Sequence, residues 1–258
     1  SGSERSAEGH LVGRAVGWQD SVSLKARGVQ KLDSGLLAAP LTLTAAIGVL
    51  GVPGLTAFIA MHELSDVQPG QTVLVSSASG PVGATAGQIA RLKGARVVGL
   101  AGNSQKVDWI IRDARFDAAI NYRATRDLES VIAEECPDGV DLYLDNVGGE
   151  MLDAAIPNMN LKGLILVSGQ IAEYNRPQPH GIRNTLRFIT HRLRMEGFVV
   201  LDYARQFPVA QETLAGWIRS GDIVYREEIV TGIENAPDAF IGLFAGENFG
   251  RRIVAVQH

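Results

Sequence analysis

Short apolar runs alternate with longer amphipathic segments through the middle of the chain. From residue 71 onward, the apolar runs have the length and composition of buried strands. The strands are predicted at TVLVSS, ARVVGLA, DAAIN, GVDLYLDNV and GLILVSG. The helices between them are predicted over 81–93, 104–113, 125–135 and 149–158. Strands that alternate with helices are joined by right-handed crossovers, so the predicted fold class is α/β, a doubly wound parallel sheet of the Rossmann type.

Further elements are predicted on either side of this core. A helix near 184–191, a strand at MEGFVVLD and a long helix over 203–219 are expected to extend the sheet. After Gly221, the extended run IVYREEIV, the helix APDAFIGLFAG and the strand RRIVAV are expected to form a separate layer. Before the sheet, LVGRAVGWQDSVSL predicts two short strands broken near Gly17.

The longest apolar stretch, LLAAPLTLTAAIGVLGVPGLTAFIAM, is long enough to resemble a membrane span. Its prolines and glycines divide it, so it predicts two buried helices joined by a tight GVPG turn. The first residues also lack the basic and then apolar order of a signal peptide. No membrane association is expected.

Composition and charge narrow the possible functions. The chain has 46% hydrophobic and 20% charged residues and a net charge of −4, so it has no diffuse basic field for nucleic acid or an anionic membrane. Cys136 is the single cysteine, which excludes an internal disulfide and a four-cysteine zinc site and favours a reducing, cytoplasmic setting. His62-Glu63 lacks the second histidine of a metalloprotease helix, so no metal ligands are assigned.

Residues 78–83 read Ala-Ser-Gly-Pro-Val-Gly, a form of the dinucleotide-binding fingerprint placed between a predicted strand and a predicted helix. Gly80 would let the backbone approach a pyrophosphate, and Gly83 would let the helix pack close to the strand. The helix N-terminus would supply free N–H groups and a positive dipole end. The alternative is a tight turn that binds nothing. The residues predicted to contact the pyrophosphate are Ala78, Gly80, Val82 and Gly83.

The next strand ends without the acidic residue that an NAD site places about 20 residues after the glycine turn to bind the ribose hydroxyls. A carboxylate at that place would repel a 2′-phosphate, whereas hydroxyl, amide and ammonium donors would accept one. The residues found instead are Gly102, Asn103, Ser104 and Lys106. The predicted cofactor is therefore NADPH, although Lys106 could also be an ordinary solvated lysine of a helix.

With these residues in place, the chain resembles the zinc-independent branch of the medium-chain dehydrogenase/reductase superfamily, in particular its leukotriene/prostaglandin reductase and alkenal double-bond reductase group. The resemblance covers about residues 48–256 in the family's order. The matching segments are GVPGLTAF, SASGPVGATAGQIARLKG, VVGLAGNSQKVDWI, FDAAINYR, CPDGVDLYLDNVGGEMLD, SGQIAEYN, RMEGFVVLDYA and ENAPDAFIGLFAGENFGRRIV.

The resemblance implies a role for individual residues. Lys106 and Tyr122 would hold the 2′-phosphate and its ribose, and Asn248 would contact the cofactor from the C-terminal segment. Asn146, Ser168 and Gly169 would line the nicotinamide half, and Tyr174 would face the substrate as the catalytic hydrogen-bond donor. The alternatives are structural, because Tyr122 could end a strand, Asn146 could form a turn, Asn248 could cap a helix and Tyr174 could pack a loop.

The resemblance also implies a domain organisation. Family members begin with a GroES-like β-barrel, of which this sequence matches the closing strands and the C-terminal return. About 80 or more residues of such a domain are expected to be absent here. Residues 1–36 are interpreted as a remnant of the incomplete barrel, 37–222 as the dinucleotide-binding domain, and 223–258 as the return to the catalytic domain. Phe58 stands where the family commonly has Tyr.

Two functions follow as hypotheses. The first is an NADPH-dependent reductase that transfers hydride to the β-carbon of an α,β-unsaturated ketone or aldehyde, after which an acid protonates the α-carbon. Tyr174 is the candidate donor to the carbonyl oxygen, and the ribose hydroxyl of the cofactor is the alternative donor. The second is an NADP(H)-binding module without turnover, because loss of most of the barrel would remove one wall of the substrate cleft. A zinc alcohol dehydrogenase is excluded because the cysteine ligands are missing. A homodimer is expected through the apolar edge strand MEGFVVLD, unless Arg192, Arg194 and Asp202 protect that edge.

Overall fold

The computed structural model describes residues 2–5, 11–14, 17–19, 22–23, 25, 30–33 and 35–256. The strands are β1 (Gly2–Arg5), β2 (Leu11–Arg14), β3 (Gln30–Lys31), β4 (Thr72–Val75), β5 (Arg96–Ala101), β6 (Ala118–Asn121), β7 (Val140–Asp145), β8 (Met159–Val167), β9 (Arg194–Gly197), β10 (Glu227–Thr231) and β11 (Arg251–Ala255). The α-helices are α1 (Val52–His62), α2 (Pro81–Leu92), α3 (Ser104–Arg112), α4 (Leu128–Glu135), α5 (Gly149–Ala155), α6 (Leu186–Thr190), α7 (Phe207–Ser220) and α8 (Ala236–Phe244). Short 3₁₀ helices cover Leu43–Ile47, Ile156–Asn158, Val200–Gln206 and Ile233–Asn235.

Six of these strands form one parallel sheet in the order β6-β5-β4-β7-β8-β9. This is the doubly wound order in which the chain first adds strands on one side of β4 and then returns to add them on the other. Ligands of such sheets bind where the order reverses, outside the carboxyl ends of the strands. Here the reversal lies between β4 and β7, which confirms the predicted fold class and places the candidate site at this edge.

Two apolar cores cover the two faces of the sheet. One core joins Val73, Val75 and Val97 to helices α1, α2, α3 and α7 through side chains such as Ile59 and Leu214. The other core joins the opposite face to α4 and α5. Helix α2 lies especially close to its neighbours, because a Cβ on Gly87 would lie 2.0 Å from Phe116 Cζ. The rigid sheet therefore fixes the positions of the loops at its carboxyl edge.

The sequence predictions were wrong about three local elements. GVPG does not join two helices, because Gly51 caps α1 and Pro53 lies in its first turn, while the preceding helical piece is only the 3₁₀ helix Leu43–Ile47. The strand predicted at MEGFVVLD ends at Gly197 and is followed by the 3₁₀ helix Val200–Gln206. The helix predicted to start at 203 begins at Phe207, because Tyr203 has non-helical backbone angles.

The N-terminal part forms a small sheet of its own. Strands β1, β2 and β3 pair antiparallel, so the first strand predicted in LVGRAVGWQDSVSL is confirmed as β2. The second strand predicted there falls partly outside the described residues, and residues 18, 19, 22 and 23 are not in a strand. The interpretation of residues 1–36 as a barrel remnant also falls partly outside the described residues and stays a prediction, as do the other two domain boundaries.

The C-terminal layer packs against helix α2. Strands β10 and β11 pair in parallel, and α8 lies between them in the sequence. The Gln88 side chain of α2 holds this layer with two hydrogen bonds to Val224, donating to its carbonyl at 2.9 Å and accepting from its N–H at 2.8 Å. Within the described part of the chain, no helix is long and apolar enough to cross a membrane.

Candidate functional site

The turn after β4 brings a helix N-terminus to the carboxyl edge of the sheet. Ser77 has a left-handed backbone with φ of 51°, and its carbonyl accepts a hydrogen bond from Gly80 N at 2.9 Å. A Cβ on Gly83 would lie only 2.4 Å from the Ser77 carbonyl oxygen and 3.0 Å from Ala78 Cα. Glycine is therefore required at position 83 for α2 to start this close to the strand.

The first turn of α2 has free N–H donors. Gly80 is the N-cap and has no side chain that could accept a hydrogen bond, and Pro81, the first helical residue, has no N–H. The N–H groups of Val82 and Gly83 are thus the first donors of a helix whose dipole is positive at this end. This arrangement suits an anion such as a pyrophosphate.

Strands β5 and β6 end beside a pair of basic residues. Asn103 caps α3, because its Oδ1 accepts from Lys106 N at 2.9 Å. The Lys106 side chain runs inward, with 6% of its surface exposed, and its Nζ donates to Gly246 O at 2.7 Å. Burial lowers the pKa of Lys106, and nearby Glu228 partly offsets this effect. Lys106 is therefore not the solvated helix lysine that the sequence left open.

Arg123 is the second cation, and sequence reasoning missed it. Its Nη2 donates to Ala245 O at 2.7 Å, next to the carbonyl that Lys106 contacts. A Cβ on Gly102 would lie 3.2 Å from Tyr122 Oη and 3.5 Å from Arg123 Nε. The signal was present in the sequence, since Arg123 directly follows Tyr122 at a strand end next to the predicted phosphate site.

Asp145 is the last residue of β7 and lies at the centre of the carboxyl edge of the sheet. Sequence reasoning missed it too. Its side chain is fully buried, and Oδ1 accepts from Val147 N at 3.0 Å, Gly148 N at 2.9 Å and Tyr143 Oη at 3.0 Å. Its Oδ2 is buried and has no hydrogen-bond partner. Burial raises the pKa of Asp145, and the two backbone hydrogen bonds oppose that rise. An acid inside an apolar strand run, followed by Asn-Val-Gly-Gly, is the pattern that could have revealed it.

Asn146 ties the loops after β4 and β7 together. Its backbone N–H donates to Ser76 Oγ and its Nδ2 donates to Ser76 O, both at 2.8 Å. The N–H groups of Ser168 and Gly169 donate to the Asp145 carbonyl at 2.8 and 3.2 Å. The structure therefore brings Asn146, Ser168 and Gly169 together at the ends of adjacent strands.

Tyr174 borders an open depression of about 490 Å³ beside these residues. The depression is also lined by Ser168, Gly169 and Phe198. The Tyr174 side chain is 65% exposed, and its Oη accepts a hydrogen bond from Gln170 N at 3.2 Å. Because Oη is the acceptor in that bond, the phenolic hydrogen stays available for donation to another molecule.

The loop that carries Tyr174 is anchored to α5. His180 Nε2 and Asp153 Oδ2 are 2.6 Å apart, and Arg183 N donates to Asp153 Oδ1 at 2.8 Å. Glu173 Oε2 accepts from His180 N at 2.8 Å. The contacts of His180 and Arg183 attach the loop to α5, and the hydrogen bond between His180 and Glu173 extends this attachment to the residue before Tyr174.

Asn248 lies in a segment that crosses the carboxyl edge of the sheet. Its Nδ2 donates to Gly250 O at 3.0 Å, and Gly250 N donates to Ser79 O in the turn after β4, also at 3.0 Å. Phe249 is buried between Trp109, edge-on at 5.6 Å, and the Arg226 guanidinium, 3.9 Å from its ring centre. The segment thus connects the basic pair at one end of the site with the glycine turn at its centre.

The sequence-predicted residues thus lie along the carboxyl edge of the sheet. Ala78, Gly80, Val82 and Gly83 form the central turn, and Asn146, Ser168, Gly169 and Tyr174 lie on the β7–β8 side. The residues on the β5–β6 side are Gly102, Asn103, Ser104, Lys106 and Tyr122. Among the residues that the structure describes, no group of three or more His, Cys, Asp or Glu side chains could hold a metal ion.

This fold and this edge define a doubly wound dinucleotide-binding protein. The sequence profile of the family described as "Zinc-binding dehydrogenase" matches residues 81–215. The 2-alkenal reductase (NADP(+)-dependent) of Nicotiana tabacum is 41% identical over 258 residues, which are 100% of this chain and 74% of that protein. Prostaglandin reductase 1 of Bos taurus is 43% identical over 231 residues, or 87% of this chain and 69% of that protein.

A solved structure agrees with these sequence matches. CurA from Vibrio vulnificus, in complex with NADPH, superposes with a TM-score of 0.78 at 36% identity, over 83% of this chain and 65% of that one. The chain therefore belongs to the medium-chain dehydrogenase/reductase superfamily, in its zinc-independent group of alkenal and prostaglandin reductases. The chain spans between 65% and 74% of the length of these relatives.

Proposed function

We propose that this chain binds NADPH along the carboxyl edge of its sheet and reduces the C=C bond of α,β-unsaturated ketones or aldehydes. The observation that carries the proposal is the pairing of an anion-binding helix N-terminus with a strand end that has cations and no carboxylate. Residues 101–106 read Ala-Gly-Asn-Ser-Gln-Lys, so the strand end itself carries no carboxylate. The nearby Glu228, which acts on the Lys106 pKa, is paired with Arg252 at 3.1 Å. The family membership and the NADPH named for CurA point the same way.

The residues present fit such a cofactor. The Val82 and Gly83 N–H groups would hold the pyrophosphate, since a side chain at position 83 would close the space in which the helix starts. Lys106 and Tyr122 would bind the 2′-phosphate and its ribose, with Gly102, Asn103 and Ser104 forming the open turn between them. Asn146, Ser168 and Gly169 would border the nicotinamide, and Asn248 would contact the cofactor from the C-terminal segment.

Lys106 has two further N–H donors besides the one that Gly246 O accepts. An ammonium that burial has already separated from water loses little more hydration when a phosphate arrives, which favours a short charge-assisted hydrogen bond. Lys106→Met keeps the apolar part of this buried side chain and removes its charge. We expect it to weaken NADPH binding much more than NADH binding, and equal losses for both would contradict the assignment.

Tyr174 is the proposed catalytic hydrogen-bond donor. When bound, NADPH supplies the hydride that adds to the β-carbon of the substrate. Negative charge then develops on the carbonyl oxygen of the substrate, and a donor aimed at that oxygen lowers the barrier. A proton from an acid or from water then adds to the α-carbon and completes the reduction. The hydrogen bond from Gln170 N fixes Tyr174 Oη and leaves its hydrogen free for this role.

A second function, nucleotide binding without turnover, is favoured by one specific observation. The depression beside Tyr174 is open, and the Tyr174 side chain is 65% exposed. Hydride transfer benefits from a site that excludes water, and no such wall covers Tyr174 among the described residues. A chain that only holds the cofactor would bind NADPH and leave it unoxidised.

The experiment that separates the two functions follows NADPH absorbance with the purified chain and a simple enone or a simple enal. NADH is run alongside, and NADPH binding is measured independently by the change in protein fluorescence. Oxidation of NADPH in the presence of either substrate supports the reductase. Tight NADPH binding without oxidation supports the module, and the absence of NADPH binding would refute both.

A homodimer and a cytoplasmic location belong to the same proposal. Strand β9 is one of the two edge strands of the sheet, and Val199 and Leu201, which follow it, are 58% and 65% exposed. Arg194 on β9 and nearby Asp202 are the charges that could protect this edge instead. Light scattering of the purified chain gives the mass directly, and a monomer at all concentrations would refute the dimer.

A further inference from the structure

The basic pair Lys106 and Arg123 holds the end of helix α8. Lys106 Nζ and Arg123 Nη2 donate to the consecutive carbonyls of Gly246 and Ala245, each at 2.7 Å. Ala245 is the C-cap of α8, so both cations lie at the negative end of the helix dipole. Two basic side chains from different strand–helix units of the sheet thus converge on one short turn.

The same two cations lie beside the strand end that has no carboxylate. A Cβ added to Gly102 would contact both Tyr122 Oη and Arg123 Nε, at 3.2 and 3.5 Å. Burial is the largest cause of the lowered Lys106 pKa and Glu228 opposes it, while Arg123 and then Arg252 add smaller lowering effects, so Lys106 and Arg123 lie close enough to interact. Partial charges of peptide carbonyls offset the repulsion between these two cations less than a dianionic phosphate would.

We propose that Arg123 is a second specificity-determining residue for the 2′-phosphate of the cofactor, and that the Ala245 carbonyl holds Arg123 until the phosphate accepts its hydrogen bond, while Lys106 keeps its bond to Gly246 O and reaches the phosphate with its remaining N–H donors. The inference rests on the proposed function, because it assumes that a 2′-phosphate binds at the end of β5. Arg123 is exposed, so its guanidinium can turn from Ala245 towards Gly102 without leaving a buried charge unpaired.

The exchange of partners has a consequence for the rest of the site. The turn that Arg123 releases leads directly into the segment of Asn248, which is held at its other end by Gly250 N on Ser79 O. Binding of the phosphate would therefore loosen one end of this segment while the other end stays on the glycine turn. A cofactor without the 2′-phosphate would leave both ends held.

Two nucleotides that differ in the 2′-phosphate test this directly. The affinities of adenosine 2′,5′-bisphosphate and adenosine 5′-monophosphate are measured by calorimetry for the parent chain and for Arg123→Met. The parent is expected to prefer the bisphosphate, and Arg123→Met to reduce that preference about ten-fold, as loss of one charge-assisted hydrogen-bonding group would. Arg123→Lys keeps the charge without the fork of donors and should retain part of the preference.

The matched control is Arg112→Met. Arg112 is an exposed arginine of helix α3 whose side chain pairs with the adjacent Asp113, so its loss should leave the preference unchanged. The inference is overturned if Arg123→Met keeps the full preference, or if it weakens both nucleotides equally, as a purely structural cap of α8 would. A parent chain that shows no preference at all would instead refute the 2′-phosphate site of the proposed function.

Hydrogen exchange gives a second readout that a structural cap would not move. The N–H groups of Gly246 and Glu247 donate to Leu243 O at 3.1 Å and Gly242 O at 2.9 Å, so both report on the end of α8. They should exchange faster with the bisphosphate bound than with the monophosphate bound. Equal exchange rates with the two nucleotides would contradict the exchange of partners.

Discussion

Replacing Gly83 by Ala is expected to displace the start of helix α2. The new Cβ would lie 2.4 Å from Ser77 O and 3.0 Å from both Ala78 Cα and Ser77 C. These are backbone atoms, which cannot rotate away as a flexible side chain can. The first turn of α2 must therefore move by about half an ångström or more, because a methyl group that enters a packed site is accommodated only by backbone shifts.

The magnitude follows from two opposing terms. Overpacking of this kind costs about 1–3 kcal/mol. Alanine regains roughly 0.5–1 kcal/mol relative to glycine inside a helix. We therefore expect a net loss of up to about 2.5 kcal/mol, centred near 1 kcal/mol, and a thermal midpoint lower by roughly 2–4 °C at that central value for a chain of this size. Since the Val82 and Gly83 N–H groups move with the turn, NADPH affinity should fall about ten-fold or more.

Gly216→Ala is the matched control. Gly216 lies in helix α7 and is exposed, and a Cβ built there meets nothing within 4 Å. The same chemical change should therefore stabilise the chain by about 0.5–1 kcal/mol and leave NADPH affinity unchanged. Thermal unfolding followed by circular dichroism and NADPH titration measure both variants. A Gly83→Ala chain that unfolds and binds NADPH like the parent would refute the close approach of helix and strand.

Tyr174, Cys136 and Asp145 each carry a further expectation. Tyr174→Phe should lower kcat roughly 10²-fold, the order found for loss of one oxyanion donor, while NADPH affinity stays the same, and an unchanged kcat would move the donor role to another group. Burial raises the pKa of Cys136 from 9.0 to about 11, so a thiol reagent at pH 8 should label the chain only after denaturation, and rapid labelling of the folded chain would contradict its burial. Burial raises the pKa of Asp145, so the folded state binds its proton more tightly than the unfolded state does. The parent chain should therefore gain stability relative to Asp145→Asn as pH falls through the folded-state pKa of Asp145. Urea unfolding of both chains at a series of pH values measures this. A difference in unfolding free energy that stays constant with pH would contradict the raised pKa.

The parallel sheet and its helices could be predicted from the sequence, because the hydrophobic periodicity of each segment and its length indicate the same kind of element. Strands such as TVLV and LYLD are buried on both faces, so they appear as continuous apolar runs, and the helices between them show amphipathic periodicity. The irregular connections were harder to predict, because a single residue there can decide between a turn and a helix. Glycine and proline in GVPG are compatible with a turn and with a helix start, and the sequence does not reveal that Gly54 packs against the Val49 backbone in the first turn of α1.

Prediction of the candidate site was similarly uneven. The glycine turn was found because each glycine has a local steric reason that the motif itself expresses. Asp145 was missed although its partners Tyr143, Val147 and Gly148 are close in sequence, because the acid lies inside an apolar strand run and outside the glycine motif. Arg123 was missed because its role depends on a partner far along the chain, Ala245. The burial of Lys106 was missed for the same reason, since its partner is Gly246. Long-range pairing of this kind leaves no periodic trace in a sequence.

The hydrogen bonds that tie the C-terminal layer to helix α2 bear on how such a chain could be divided or recombined. Val224 is held on both sides by Gln88, and Gly250 N is held by Ser79 O, so the glycine turn is shaped by residues beyond the boundary predicted at 222. A chimera that takes the sheet from this chain and the residues after 222 from a relative would change the residues that pack against the glycine turn, but not the sequence of the turn itself. The C-terminal layer and the sheet should therefore be transferred together in such a chimera, because the two separate stretches of sequence form the proposed cofactor site jointly.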